Sequence, residues 1–232
     1  RDSIAMKESY KSFFKHLQEE RYDYIFIESA SPCFEHDKSL IVDIKKLLPD
    51  VKIVLAGAMA ASLDESIINE IPIHALIKGE YEKGSLKVIN GASGIIDFDF
   101  MTAEEMNAAP FPIYNQDTFG NYCDWNPKGQ IFPHAQVWSS RGCPFKCIFC
   151  VWPATMTGND PDGHGKRLVR YYTKDYMEAF LGELTARYPF RSIYFDDDTF
   201  NLGDKHVLGI CEVMRKIKLP WSAMCRADTV DI

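Results

Sequence analysis

Along the first ninety residues the apolar positions switch between two patterns. Phe13, Phe14 and Leu17 fall at helical spacing, predicting a helix over Met6–Glu20, and similar patterns predict helices over Asp37–Leu48, Leu63–Glu70 and Glu80–Ile89. Between them lie short, largely apolar runs, Tyr24–Ile27, Val51–Leu55 and Ala75–Ile77, with the brevity of buried strands. Pro49-Asp50 supplies the turn that ends the second helix. The order α-β-α-β-α-β-α predicts a parallel sheet with helices packed on it.

The pattern then breaks. Residues 91–130 hold Gly91, Gly94, Pro110, Pro112, Gly120 and Pro127 among many aromatics, with little periodicity. Ile95–Phe100 reads as extended, and the remainder as a linker laid over the second half. Alternation resumes with strands at Ala135–Ser139, Arg191–Phe195 and Trp221–Cys225 and helices at Lys174–Arg187 and Asp204–Lys216. The polar, glycine-rich Gly158–Arg167 reads as a loop. Two α/β domains, 1–90 and 131–232, joined by a 91–130 linker are therefore expected.

Composition narrows the function classes. The 232 residues are 46% hydrophobic and 25% charged, ordinary for a globular chain with a sizeable core. A net charge of −7 argues against a general nucleic-acid binder, which needs a basic face. No apolar run approaches the ~20 residues that span a bilayer. The charged N-terminus shows no apolar leader, so a cytoplasmic location is expected. Seven cysteines are an odd number, and three of them cluster. In a chain of this size that pattern points to metal binding rather than to a disulfide framework.

The cluster is Ser139-Ser140-Arg141-Gly142-Cys143-Pro144-Phe145-Lys146-Cys147-Ile148-Phe149-Cys150, with spacing C-x3-C-x2-C directly after a predicted strand. Three thiolates so close can wrap one metal centre. Structural zinc sites are closed by four ligands, whereas an iron–sulfur cluster held by three cysteines keeps one iron open. The small residues Ser139, Ser140 and Gly142 let the backbone approach and offer amides to the sulfides. The competing reading is a zinc knuckle whose fourth ligand is distant, with His134, His164 and Cys123 available. Chance packing of three thiols fits less well with a loop carrying Arg141 and Lys146.

The motif R-G-C-P-x-x-C-x-F-C after a strand resembles the cluster motif of radical S-adenosylmethionine (SAM) enzymes. The resemblance implies that Cys143, Cys147 and Cys150 hold a [4Fe-4S] cluster and that the open iron is chelated by SAM. It also implies that Phe149 lies against the adenine. Reductive cleavage of SAM to a 5′-deoxyadenosyl radical, which takes hydrogen from a substrate, is the chemistry implied. A flavodoxin- or ferredoxin-type electron donor is the implied partner.

Two further segments bear on this reading. Ile193–Phe195 runs into Asp196-Asp197-Asp198-Thr199-Phe200, an apolar strand ending in three carboxylates. Read alone, these could hold Mg²⁺, or one acid, Asp198 or Asp204, could cap the next helix. In similar radical SAM proteins a D-D-x-F segment ends the second strand near the SAM ammonium, which makes Asp196 and Asp197 cofactor candidates. At the end of the third strand Arg226 is the candidate for the SAM carboxylate or the substrate; the alternative is a surface pair with Asp228. Cys211 and Cys225 read as core residues.

In the first half, Val51–Gly57 followed by Ile77-Lys78-Gly79-Glu80 is similar to the Rossmann-like cobalamin-binding domain that precedes many radical SAM cores. Gly57 and Gly79 would be the positions of close approach to cobalamin. No Asp-x-His-x-x-Gly motif is present, and neither His36 nor His74 matches its histidine. Gly163-His164-Gly165-Lys166-Arg167 lacks phosphate-loop spacing, and no G-x-S-x-G elbow occurs.

The expected fold is thus α/β, an incomplete Rossmann-like N-terminal domain followed by part of a radical SAM (β/α)6 partial barrel, shortened at both ends. The expected function is reductive SAM cleavage on an unknown substrate, with cobalamin-dependent methyl transfer as one outcome. The alternative is a non-catalytic iron–sulfur electron-transfer or zinc-binding module.

Overall fold

The computed structural model of the chain describes residues 2–122, 131–150 and 167–230. His164, Cys123 and nearly all of the Gly158–Arg167 loop lie outside the described residues. The chain forms two compact units: one of residues 8–101 with 145–150, the other of 2–7, 102–122, 131–144 and 167–230.

The first unit is a four-stranded, all-parallel sheet of β1 (Tyr24–Glu28), β2 (Lys52–Ala56), β3 (Ala75–Ile77) and β4 (Gly94–Ile96), in that spatial order. Its helices are α1 (Tyr10–Glu20), α2 (Phe34–Leu47), α3 (Ser66–Glu70) and α4 (Glu82–Ile89). Alternate residues of β2 serve opposite faces. Ile53 and Leu55 join Leu17, Ile41 and Ile44 in one core, while Val54 and Ala56 join Ile77 and Val88 in the other. A strand segment buried on both faces is apolar throughout, which is why Ile53–Ala56 reads as a continuous apolar run after the exposed Lys52. α1 begins at Tyr10 rather than at Met6 because Ser9 is extended and its hydroxyl accepts the Ser12 amide, a cap that fixes the helix start.

The second unit pairs β5 (His134–Val137) with β8 (Ser192–Phe195) and β8 with β9 (Trp221–Ala223), all parallel. A separate antiparallel pair joins β6 (Ser140–Arg141) to β7 (Arg170–Tyr171). Helices α6 (Lys174–Arg187) and α7 (Asp204–Ile217) cover one sheet face through Met177, Leu181, Val213 and Met214, against Ala135, Val137, Ile193 and Phe195. Between the units' sheets in sequence, α5 (Ala103–Ala108) opens with a capping box in which Thr102 and Glu105 bond each other's backbone amides. Phe111, Tyr114 and Phe119, within the segment expected to be a linker, pack on the second core. The chain is therefore α/β with parallel sheets. β9 ends two residues earlier than expected, so Cys225 is exposed beyond it rather than in the core. Among the described residues no helix is long and apolar enough to cross a membrane.

Candidate functional site

Parallel neighbours β5 and β8 end on the same side, and their exits are stitched together. The Asp197 carboxylate is buried, 1% exposed. Its Oδ1 accepts hydrogen bonds from the Ser139 amide (3.1 Å), the Ser139 hydroxyl (2.9 Å) and the Ser140 hydroxyl (2.5 Å). Its Oδ2 lies 3.2 Å from the same Ser139 amide. Asp198 accepts the Gly142 amide at 2.9 Å. Asp196 accepts the Gln136 side-chain amide at 2.5 Å. The buried Cys143 sulfur is 3.3 Å from the Thr199 hydroxyl, which donates to the Asp198 carbonyl at 2.7 Å. All three carboxylates therefore meet β5 or its exit, as parallel registration requires.

This geometry changes two expectations. Neither Asp198 nor Asp204 caps α7: the N-cap is Gly203 with no side-chain cap bond, because Asp198 is turned to Gly142. The Ser139 and Gly142 amides, expected to face sulfides, face carboxylates instead.

Burial sets the protonation of the cluster. Desolvation pushes the Asp197 carboxyl above its ordinary value, against the pull of the Ser140 and Ser139 donors. Desolvation also pushes Asp198 up to about 6, opposed by the Gly142 amide and reinforced by the neighbouring Asp197 and Asp196. His206, on the first turn of α7, is pushed down to about 4 by desolvation and is neutral at pH 7. Its Nε2 lies 2.9 Å from the Ser139 hydroxyl, and its ring packs on Tyr171 at 4.6 Å between centroids. Ser139 has one hydroxyl proton; given to Asp197, it leaves His206 Nε2 as the donor. The hydroxyl thus sits between carboxylate and imidazole. A serine hydrolase needs the imidazole in the middle, so this arrangement is a brace and not a nucleophile.

Among the described residues no cysteine is in a disulfide. Cys143 is buried, and the Cys150 amide closes a turn on the Cys147 carbonyl at 3.0 Å. Phe149 is 85% exposed. Among the described residues no group of three or more His, Cys, Asp or Glu side chains is assembled to hold a metal ion. The donor chemistry fits an iron–sulfur centre, with three thiols on one loop whose root is anchored. His134, a candidate fourth zinc ligand, begins β5, nine positions before Cys143. Its strand's rise of ~3.3 Å per residue carries it to the opposite end of the sheet.

Arg226 pairs within its own segment. Its guanidinium forks onto Asp228 at 2.9 and 2.6 Å, while its backbone is fixed by Asn201. In the first unit, Gly57 has φ +94°, and a Cβ there would stand 2.7 Å from the Ser29 carbonyl oxygen. Gly79 has φ +76°. A positive φ favours glycine at both positions.

Sequence reasoning did not connect Ser139, Ser140 and His206 to the acids. The one available signal was local: paired hydroxyls at a strand exit beside a run of acids at the next parallel strand's exit.

Fold and site together define a parallel α/β protein whose thiol-bearing loop leaves a strand end held by buried acids. No family profile matches the chain. It is 22% identical, over an alignment of 249 positions, to a Pyrococcus horikoshii protein named as an uncharacterized methyltransferase. The match takes in 98% of this chain and 51% of the relative, so the chain spans about half the length of the curated relative it matches.

Proposed function

We propose that this chain carries the cluster- and SAM-binding part of a radical SAM enzyme, with methyl transfer as the overall reaction. The observation that carries the reading is the C-x3-C-x2-C loop rooted at the C-terminal end of a parallel strand, where α/β enzymes place their chemistry. The named activity of the relative is compatible with SAM as a cofactor. A [4Fe-4S] cluster held by Cys143, Cys147 and Cys150 would supply one electron to the SAM sulfonium, releasing a 5′-deoxyadenosyl radical that takes hydrogen from the substrate.

The chain's own residues prepare that site. Asp197, Asp198 and Thr199 fix the loop's first cysteine. Ligand binding and ordering of a metal site are linked, so gathering the Cys147–Cys150 turn would accompany loading. Asp196 is the acid available for the SAM ammonium, and the exposed Phe149 is the aromatic available for the adenine.

The test is anaerobic reconstitution with iron and sulfide, then SAM and a reductant or a flavodoxin-type donor. Iron–sulfur absorbance and SAM-dependent release of 5′-deoxyadenosine are expected. Cys143→Ala, Cys147→Ala or Cys150→Ala should each abolish both, and Cys211→Ala neither. Tight zinc with no iron uptake, or an iron-loaded chain that leaves SAM intact, overturns the reading.

A further inference from the structure

We infer that Asp197 is a positioning residue for the cysteine loop and not a contact to the cofactor: its buried carboxylate holds the Ser139–Ser140 strand exit so that Cys143 is presented in one place. The inference rests on the iron–sulfur reading above.

Occupancy is the first argument. A carboxylate oxygen offers about two lone-pair sites, and Asp197 Oδ1 already receives an amide and two hydroxyls. The group is 1% exposed, so no face remains for an ammonium ion to approach. The donors that hold it are amides and hydroxyls, which can satisfy a buried carboxylate without a cation.

Placement is the second argument. The four residues before Cys143 are fixed from three sides. Asp197 takes Ser139 and Ser140. β7 pairs with Ser140 and Arg141 through Tyr171 and Arg170. Asp198 takes the Gly142 amide, and Gly142 has φ +96° with its missing Cβ only 2.3 Å from the Leu168 carbonyl. His206 braces Ser139 from α7. A thiol at the end of such a run has little freedom in where its sulfur points. Groups that orient a metal ligand without touching the metal are worth about 10-fold or more in metal affinity.

The experiment titrates the full chain with ferrous iron and sulfide under anaerobic conditions, comparing wild type with Asp197→Asn, Ser140→Ala and Ser140→Thr. Iron affinity should fall about 10-fold in Asp197→Asn. It should fall less in Ser140→Ala and return in Ser140→Thr, which restores the hydroxyl. The electron paramagnetic resonance spectrum of the reduced cluster should shift in Asp197→Asn, a change that lost stability alone does not produce. In the loaded fraction SAM should bind Asp197→Asn as it binds wild type.

Normal loading with lost SAM affinity in Asp197→Asn would show a cofactor contact and overturn the inference. Normal loading with normal SAM affinity overturns it as well. If Asp197→Asn does not fold, the Ser140 pair decides: equal loading of Ser140→Ala and Ser140→Thr overturns the inference. Wild type that takes up no iron refutes the functional reading itself, an outcome separate from all of these.

Discussion

The exits of β2 and β5 are built from the same parts to different ends. Each parallel strand leads to a glycine at positive φ, Gly57 at +94° and Gly142 at +96°, where neighbouring backbone leaves no room for a Cβ. Each lies near a buried carboxylate that accepts a serine hydroxyl, Asp37 from Ser29 and Asp197 from Ser139 and Ser140. At β2 the chain then closes on itself: the Ser29 amide bonds Ala56 and the Met59 amide bonds the Ser29 carbonyl. At β5 it leads into a loop of thiols. A glycine at a strand end therefore reports a close backbone approach in both units. What separates them is the next residue's chemistry and how many donors the buried acid must satisfy.

The largest effect should come from breaking the two turns in parallel. Gly142→Ala forces a Cβ to 2.3 Å from the Leu168 carbonyl oxygen, whereas in Gly57→Ala the nearest atom is the Ser29 carbonyl oxygen at 2.7 Å. Both also place a side chain at a φ that L-residues avoid. Chemical denaturation should show a loss of about 3 kcal/mol for Gly142→Ala and about 2 kcal/mol for Gly57→Ala. The first should also reduce iron uptake and the second should not. Equal loss of iron uptake in both would mean that the β5 exit is no more specialised than the β2 exit.

This contrast marks what the sequence displays and what it hides. β3 at Ala75–Ile77 and the helix Lys174–Arg187 have the same bounds in sequence and structure, because continuous apolar runs and a 3.6 period are properties of neighbouring residues. The Cys143–Cys150 motif is legible for the same reason: its spacing lies within one segment. The bonds from Asp197 to Ser139 and Ser140 join positions 58 and 57 apart, and the β6–β7 pair likewise joins distant segments. Such links follow from which strands become neighbours, which periodicity does not encode. The pairing of Arg226 with Asp228 was visible as a two-residue spacing, since it needs no tertiary contact.

A second comparison uses pH. His206, depressed to about 4 by burial, binds its proton less well folded than unfolded. Its contribution is present above its ordinary value of 6.5 and is lost as pH falls from there towards 4. Asp198, raised from 3.8 to about 6, acts in the opposite sense: it favours the folded state at low pH, and that contribution is lost as pH rises through about 6. Between pH 4 and 6.5 the two oppose each other, so each offsets part of the other's slope in the wild type. His206→Gln should make stability fall as pH rises across this window, and Asp198→Asn should make it rise. Thermal melts at half-unit pH steps distinguish them, and parallel curves for the two variants would refute the assignment.

The smallest effect should come from a carboxylate held by cations instead of by amides and hydroxyls. In the first unit Asp99 meets Lys83 at 2.9 Å and Lys87 at 2.6 Å, with all three side chains partly exposed. The hydrogen bonds from Lys87 and Lys83 hold its carboxyl below the usual carboxylate range. A lowered value means that the pair's contribution is present above 3.8 and fades as pH drops through the folded value. Water and salt screen such a pair, so Asp99→Asn should cost less than about 1 kcal/mol. That cost should shrink further on going from 0.05 to about 0.5 M salt, as the screening length contracts. Asp197→Asn should show no comparable salt dependence, because its donors are neutral and its carboxylate is buried. Urea unfolding of both variants at low and high salt provides the measurement. A cost for Asp197→Asn that fades with salt as that of Asp99→Asn does would mean that the acid bonded to the β5 exit is an ordinary surface charge, and the difference between the two strand exits would vanish with it.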